Sequence, residues 1–335
     1  MIEMLRPLAV LAQRVGDHRV LGEVSYAALR LDQPQFAAEL LFQSRKAAGK
    51  SEATDWRGED IRDATLIVRV MESANQGVAN GVGHVGRIAA AAKKAARTVI
   101  VVDPRMVALF ARSLPEITVL PFGADLESFK SGKFVTANAN DIELGVGNDT
   151  ETIRSNFRPV LADAARSRAL RDKYRHGREL PLIGISWWSS HYGKDLPAPD
   201  HWARLVREIP AQFVSLQYGD VAGDIARFNA GNPSAVIDDP EVDQLRDMDA
   251  FASQIDAMDL VVTISNSGAH LASALGKPVI LVRDDLFRRI WPYLSRAVPW
   301  YPETLVIGKD GRPWDKVFDE IISTAKDLVG APKRN

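Results

Sequence analysis

Residues 259–282 read DLVVTISNSGAHLASALGKPVILV, and their periodicity changes twice. Leu260–Ile264 is a short run of aliphatic and β-branched residues, the composition of a strand buried on both faces. Ala269–Leu275 is rich in Ala and Leu at helical spacing, and Val279–Val282 returns to strand composition. Strand, helix and strand in this order form a βαβ unit, which joins parallel neighbours in a sheet. Four small residues, Ser265, Asn266, Ser267 and Gly268, sit where the first strand meets the helix. Such a junction presents unpaired backbone N–H groups at the positive end of a helix and suits an anion. Ser and Asn are equally suited to plain N-capping. His270, in the first turn, has two readings of the same kind: a donor to a phosphate, or a packed ring.

The same grammar extends on both sides. Upstream, Leu182–Ser186 reads as a strand, Asp200–Glu208 as a helix, Gln212–Leu216 as a strand and Ala250–Met258 as a helix; downstream, Trp314–Val329 is an amphipathic helix. An earlier series has strands at Thr65–Met71, Thr98–Val102 and Ile117–Leu120, alternating with helices at Ile88–Ala96 and Val107–Ser113. Phe122–Asp149 has no clear period. Arg154–Tyr174 reads as one charged, solvent-facing helix linking the two series. Residues 1–49 are helical in pattern, with Ala27, Ala28, Leu31, Phe36, Leu40, Leu41 and Ser44 at three-to-four spacing and Pro34 suited to a first turn. No second copy follows at a ~34-residue period, so a lone capping hairpin is expected there and not a repeat array. The fold class expected is α/β, with two Rossmann-like domains facing a cleft. The expected divisions are a helical segment at 1–50, a first domain at 51–175, a second at 176–312 and a closing helix at 313–335.

Composition narrows the function classes. The chain has 335 residues, 42 Lys and Arg against 43 Asp and Glu, and no cysteine. A near-zero net charge argues against a general nucleic-acid binder. The lack of cysteine excludes disulfides, thiolate catalysis and Cys-ligated metal, and it fits a cytoplasmic location. No stretch approaches the ~20 apolar residues of a transmembrane segment, and the start of the chain carries charge too early for a secretory signal.

The segment ISNSGAHLASALGKPV resembles the donor-binding segment of GT-B glycosyltransferases, specifically the heptosyltransferase-like enzymes often fused to tetratricopeptide repeats. Further pieces match in order: DWRGEDIRDATLIV, PLIGISWWSS, FVSLQYGDVAGDI, IDDPEVDQLRDMDAFASQIDAMDLVV and PWYPETLVI, together spanning about Asp55 to Ile307. The resemblance implies a nucleotide-sugar donor as co-substrate, no metal cofactor, a protein or glycan acceptor, and inversion at the anomeric carbon. It implies that Ser189, Ser190 and Lys194 contact the donor diphosphate, with Lys194 as a point charge for the leaving group. Gln217 and Tyr218 match nucleotide-contacting positions, and Ser265, Asn266, Ser267, Gly268 and His270 match the phosphate site. Asp249 and Phe251 match positions near the base.

The first half departs from the family's Gly-x-Gly-Asp loop, whose Asp is the proposed base. The chain reads ESANQGVANGVGHVGRI from Glu72. Aligning Gly81-Val82-Gly83 puts His84 at the acidic position, whereas aligning Gln76-Gly77 puts Asn80 there. His84 is able to deprotonate a hydroxyl near neutrality, and it also reads as an ordinary helix-start residue. Glu72 is a second candidate base. Asp247-Met248-Asp249 spells a metal-binding DxD string but precedes a helix, where N-terminal charge complementarity accounts for it. Two functional readings follow: a transferase, or a silent nucleotide- or glycan-binding scaffold that has lost its base. The N-terminal helices are in addition a candidate surface for homo-oligomer formation.

Overall fold

The structure, a computed structural model, describes residues 2–30, 33–47, 55–70, 78–147, 149–190, 194–231, 235–285, 291–292 and 295–330. The chain divides into two units. One runs to Val160 and takes in Pro299–Pro302, and the other begins at Leu161.

The first unit opens with three helices, α1 (Ile2–Val15), α2 (His18–Arg30) and α3 (Pro34–Ala47). A helix therefore precedes the expected hairpin. Ala9 and Ala12 of α1 pack with Leu21, Val24 and Leu40 in a small apolar cluster. The α/β part follows: β1 (Ile61–Arg69), a 3₁₀ segment Val78–His84, α4 (Val85–Ala92), β2 (Ala95–Val102), α5 (Val107–Ser113), β3 (Thr118–Pro121), α6 (Glu127–Lys130), β4 (Phe134–Asn138), α7 (Glu143–Val146) and α8 (Thr150–Ser155). The strands lie in the order β3-β2-β1-β4, all parallel. Leu66, Ile67 and Val68 are wholly covered at the centre, because β1 has a strand on each edge and apolar side chains on both faces.

The second unit contains α9 (Ala164–Arg175), β5 (Leu182–Ser186), α10 (Pro199–Glu208), β6 (Gln212–Ser215), α11 (Ala222–Phe228), β7 (Val236–Ile237), α12 (Met248–Asp256), β8 (Leu260–Ile264), α13 (Ser267–Ala274), β9 (Val279–Arg283), β10 (Ala297–Val298), β11 (Tyr301–Gly308) and α14 (Trp314–Gly330). The sheet order is β10-β11-β9-β8-β5-β6-β7, and the pairings from β11 through β7 are parallel. The chain fills one side of the sheet through β5, β6 and β7, then crosses back to place β8 beside β5. The order therefore reverses between β5 and β8. Open α/β sheets bind ligands outside the strand carboxyl ends at such a reversal.

The segment read as one solvent-facing link is in fact α8 and α9. Asp163 caps α9 by accepting from the Ala165 and Arg166 amides, and Tyr174 on its inner face is fully buried. The Tyr174 hydroxyl donates to Asp239 Oδ2 at 2.7 Å and accepts from Gln254 Nε2 at 3.1 Å. Burial opposes the Asp239 charge, but its bonds from Tyr174 and Lys173 outweigh burial and hold its pKa below the usual carboxylate value. Tyr174→Phe removes one of these donors from a buried carboxylate and is expected to lower unfolding stability by about 1–2 kcal/mol. Urea denaturation at neutral pH measures this.

Candidate functional site

The carboxyl ends of β5, β6 and β8 are tied together by two side-chain amides, those of Gln217 and Asn266. Oε1 of Gln217 accepts from Ser186 Oγ at 3.0 Å, the Trp187 amide at 2.9 Å and the Trp188 amide at 2.8 Å. Its Nε2 donates to the Tyr218 carbonyl at 3.2 Å. Asn266 adds the third strand: its Nδ2 donates to Ser186 Oγ at 2.8 Å, while its Oδ1 accepts from the Ala269 amide at 3.0 Å as the N-cap of α13. Gln217 and Asn266 thus hold the loop walls in place by bonds within the protein. Both are positions where the resemblance implies ligand contact, and both bond the strand ends through their amides.

Lys194 lies within this frame. Its Nζ donates to Ser189 Oγ at 2.9 Å and to the Ser265 carbonyl, the residue just before the cap of α13. Burial pushes the Lys194 pKa down to about 8, against the opposing pull of the buried Asp284 carboxylate. His270 is buried in the first turn of α13, and burial together with the Lys194 charge pushes its pKa down to about 4. It is therefore a neutral ring at physiological pH. Gly268 lacks a side chain where one would meet Asn266 Oδ1 at 3.3 Å and the Phe251 ring at 3.4 Å. The structure thus brings Ser189, Lys194, Ser265, Asn266, Ser267, Gly268 and His270 to one edge of the sheet. That edge combines a cation, hydroxyls and the N-terminal turn of an eight-residue helix, a set suited to an anion.

Other expected residues flank it. The Ser190 amide donates to the Tyr218 hydroxyl at 3.1 Å, and the Tyr218 ring lies 5.9 Å from that of Trp188. Trp188 is 46% exposed, whereas Trp187 is buried and donates through Nε1 to Asp224. Phe251 is buried beside Gly268. Asp247 caps α12 by accepting from the Ala250 amide at 2.8 Å, so the DxD string is a helix start. Among the described residues no group of three or more His, Cys, Asp or Glu is placed to hold a metal.

In the first unit, the glycine loop leads through Val78–His84 into α4. Glu72, Gln76 and Gly77 lie outside the described residues, and Asn80 falls within the 3₁₀ segment. His84 stands at the start of α4 with no side-chain cap bond. Its Nδ1 lies 3.2 Å from Arg87 Nη1. A guanidinium only donates, so Nδ1 is the acceptor and the proton of the neutral ring sits on Nε2. Two glycines here are closely approached: a Cβ at Gly83, in the 3₁₀ segment, would lie 2.7 Å from the Tyr301 hydroxyl, and one at Gly86, in the first turn of α4, would overlap the Asn156 backbone carbonyl. Reading residues by motif missed Ser186, Asp284, Arg87 and Tyr301. The i, i+3 spacing of His84 and Arg87 was the one available signal.

No family model matches this chain. A curated relative, Protein FlbA of Caulobacter vibrioides, is 23% identical over 300 residues, covering 82% of this chain and 48% of that protein. The chain thus spans about half the length of the curated relative it matches. Two solved structures are similar in fold. The ADP-heptose LPS heptosyltransferase II of E. coli has a TM-score of 0.55 at 11% identity, covering 79% of this chain and 98% of that enzyme. The glycosyl transferase family 9 structure from Veillonella parvula has a TM-score of 0.59 at 11% identity, covering 82% and 99%. The chain has the α/β fold of GT-B glycosyltransferases of the heptosyltransferase kind. No helix of the described residues is long and apolar enough to cross a membrane.

Gln217→Leu keeps side-chain bulk but strands the Ser186 hydroxyl and two backbone amides. It is expected to lower stability by about 2 kcal/mol or more, since each buried unpaired group is costly. Thermal unfolding of the variant checks this.

Proposed function

We propose that the chain is a glycosyltransferase that moves a sugar from a nucleotide-sugar donor to an acceptor hydroxyl. The observation that carries this reading is the half-buried Lys194 cation beside Ser189 and the start of α13, at the point where the sheet order reverses. In the reaction, the acceptor oxygen bonds to the anomeric carbon as the bond from that carbon to the diphosphate oxygen breaks. The acceptor proton passes to a base, and the diphosphate leaves with added negative charge. Lys194 answers that charge, with the Ser189 and Ser190 hydroxyls and the Ser267 and Gly268 amides placed for the phosphate oxygens. Ser265 and neutral His270 complete the wall. Tyr218 and Trp188 flank the nucleotide. The displacement inverts the anomeric centre and uses no metal, since lysine and the helix start supply the positive charge. The second unit takes the donor and the first takes a protein or glycan acceptor. The motifs between Asp55 and Ile307 support placing the chain with the heptosyltransferase-like enzymes associated with tetratricopeptide repeats.

One observation favours a second reading, a nucleotide-binding protein without turnover. For neutral His84 to take a proton it must do so on Nδ1, the nitrogen that faces the Arg87 guanidinium. Catalysis by His84 requires that contact to be released; a silent binder does not. Assaying donor hydrolysis and transfer with the wild type, His84→Ala and Arg87→Ala separates the readings. If His84 is the base, turnover falls by about 10²–10⁴-fold in His84→Ala and rises in Arg87→Ala. Nucleotide binding with no turnover in any of the three supports the silent binder.

Nucleotide binding has its own test. UDP, GDP, ADP or CMP is expected to raise Tm by mass action, and no rise with any of them overturns both readings. The lysine is charged below pH 8 and loses its proton above it. Affinity for the nucleoside diphosphate is therefore expected to hold from pH 7 to 8 and then fall by up to about tenfold per pH unit. Lys194→Met should bind weakly with no such fall, and isothermal titration across pH 7–10 reads both.

A further inference from the structure

Helix α1 leaves a row of large apolar side chains uncovered. Met4 is 77% exposed, Leu8 44%, Leu11 58% and Val15 68%. Their spacing of four, three and four residues is that of a coiled-coil seam, with Leu8 and Val15 at a positions and Met4 and Leu11 at d positions. One flank of this seam is already taken: Leu5, Ala9 and Ala12 pack into the apolar cluster with α2 and α3. The other flank is open, and there Glu3, Arg6, Pro7, Val10, Leu11 and Arg14 line a shallow groove.

The seam complements itself in one orientation. In antiparallel helix pairs an a residue of one helix faces a d residue of the other. Two copies of α1 run antiparallel would set Met4 against Val15 and Leu8 against Leu11, and the same two layers repeat by the two-fold axis. The charges agree with this orientation. Glu3 is the acidic residue of the first turn and Arg14 the basic residue of the last, and both lie on the open flank. The antiparallel pairing brings Glu3 of each copy near Arg14 of the other and aligns the helix dipoles favourably. A parallel pairing instead puts Glu3 beside Glu3 and Arg14 beside Arg14.

We propose that a second copy of this chain covers α1, forming a two-fold, antiparallel dimer through Met4, Leu8, Leu11 and Val15. An isologous contact of this kind closes on itself and does not propagate. Only one 14-residue helix from each copy is used, so the interface is small and the dimer dissociates on dilution, with Kd on the order of micromolar.

The cysteine-free sequence allows a direct test on the full chain. A mixture of Met4→Cys and Val15→Cys proteins is expected to cross-link on mild oxidation, and Met4→Cys alone is not. Analytical ultracentrifugation should show the wild type passing from monomer to dimer with concentration. Leu8→Lys/Leu11→Lys should remain monomeric, with its circular dichroism and Tm retained. Should that variant not fold, the surface variants decide: Glu3→Arg alone weakens the dimer by about fivefold, and Glu3→Arg/Arg14→Glu restores it. Monomeric mass at every concentration overturns the proposal. So does cross-linking of Met4→Cys alone as efficient as that of the mixture, which would mean a parallel pair. A loaded dimer that survives Leu8→Lys/Leu11→Lys would place the contact on another face and also overturns it.

Discussion

Three strands of a twisted parallel sheet end near one another and then diverge into loops, and the amide oxygen of Gln217 is what keeps the loop after β5 in register with the end of β6. One acceptor atom receives one hydroxyl and two consecutive backbone amides. Successive amides converging on a single oxygen require a tight bend at Ser186–Trp188, and that bend aims the following residues back over the sheet edge. Asn266 repeats the device from the β8 side, joining Ser186 to the cap of α13. The position of Lys194 is a consequence, because both of its oxygen partners, on Ser189 and Ser265, stand on loops that these amides fix.

Electrostatics at this edge arise from burial more than from pairing. Desolvation lowers the pKa of Lys194, and the lysine charge in turn helps keep His270 neutral. The two groups do not compete for protons in the same range, since one titrates near pH 8 and the other near pH 4. At neutral pH the lysine therefore carries a positive charge over a helix start, and the buried Asp284 carboxylate is near enough to favour it. A chain of net charge −1 can hold such a local field because the balancing charges lie elsewhere on its surface.

Much of this arrangement is legible in the sequence. The bounds of β5, β8 and α5 coincide with the apolar runs Leu182–Ser186, Leu260–Ile264 and Val107–Ser113, because strands buried on both faces and short Ala- and Leu-rich helices leave unambiguous patterns. The strands β4 and β7 were not read. Phe134–Asn138 ends in Thr, Ala and Asn, and Val236–Ile237 has only two residues, too short for any period. β11 was missed as well, since Pro302 and Glu303 interrupt its apolar character and it takes its place in the sheet from β9. Helix α13 begins at Ser267, ahead of the apolar pattern that starts at Ala269, because the Asn266 cap extends it. The contacts of Gln217 and His84 are the hardest to read from sequence. An amide next to a motif looks the same in sequence whether it meets a ligand or three protein donors, and the state of an imidazole depends on which neighbour faces each nitrogen.

The Lys194 ammonium also joins two loops of this edge. It sits on protein oxygens, a serine hydroxyl and a main-chain carbonyl, so in the proposed reaction the diphosphate exchanges partners with it and does not simply add to it. Binding strength is then the difference between two sets of hydrogen bonds, and this difference is smaller than either. On the proposed reading, such an exchange favours ready release of the diphosphate. In the proposed transfer these contacts re-form as the diphosphate departs, so one lysine serves both as a tie between two loops and as a counter-charge.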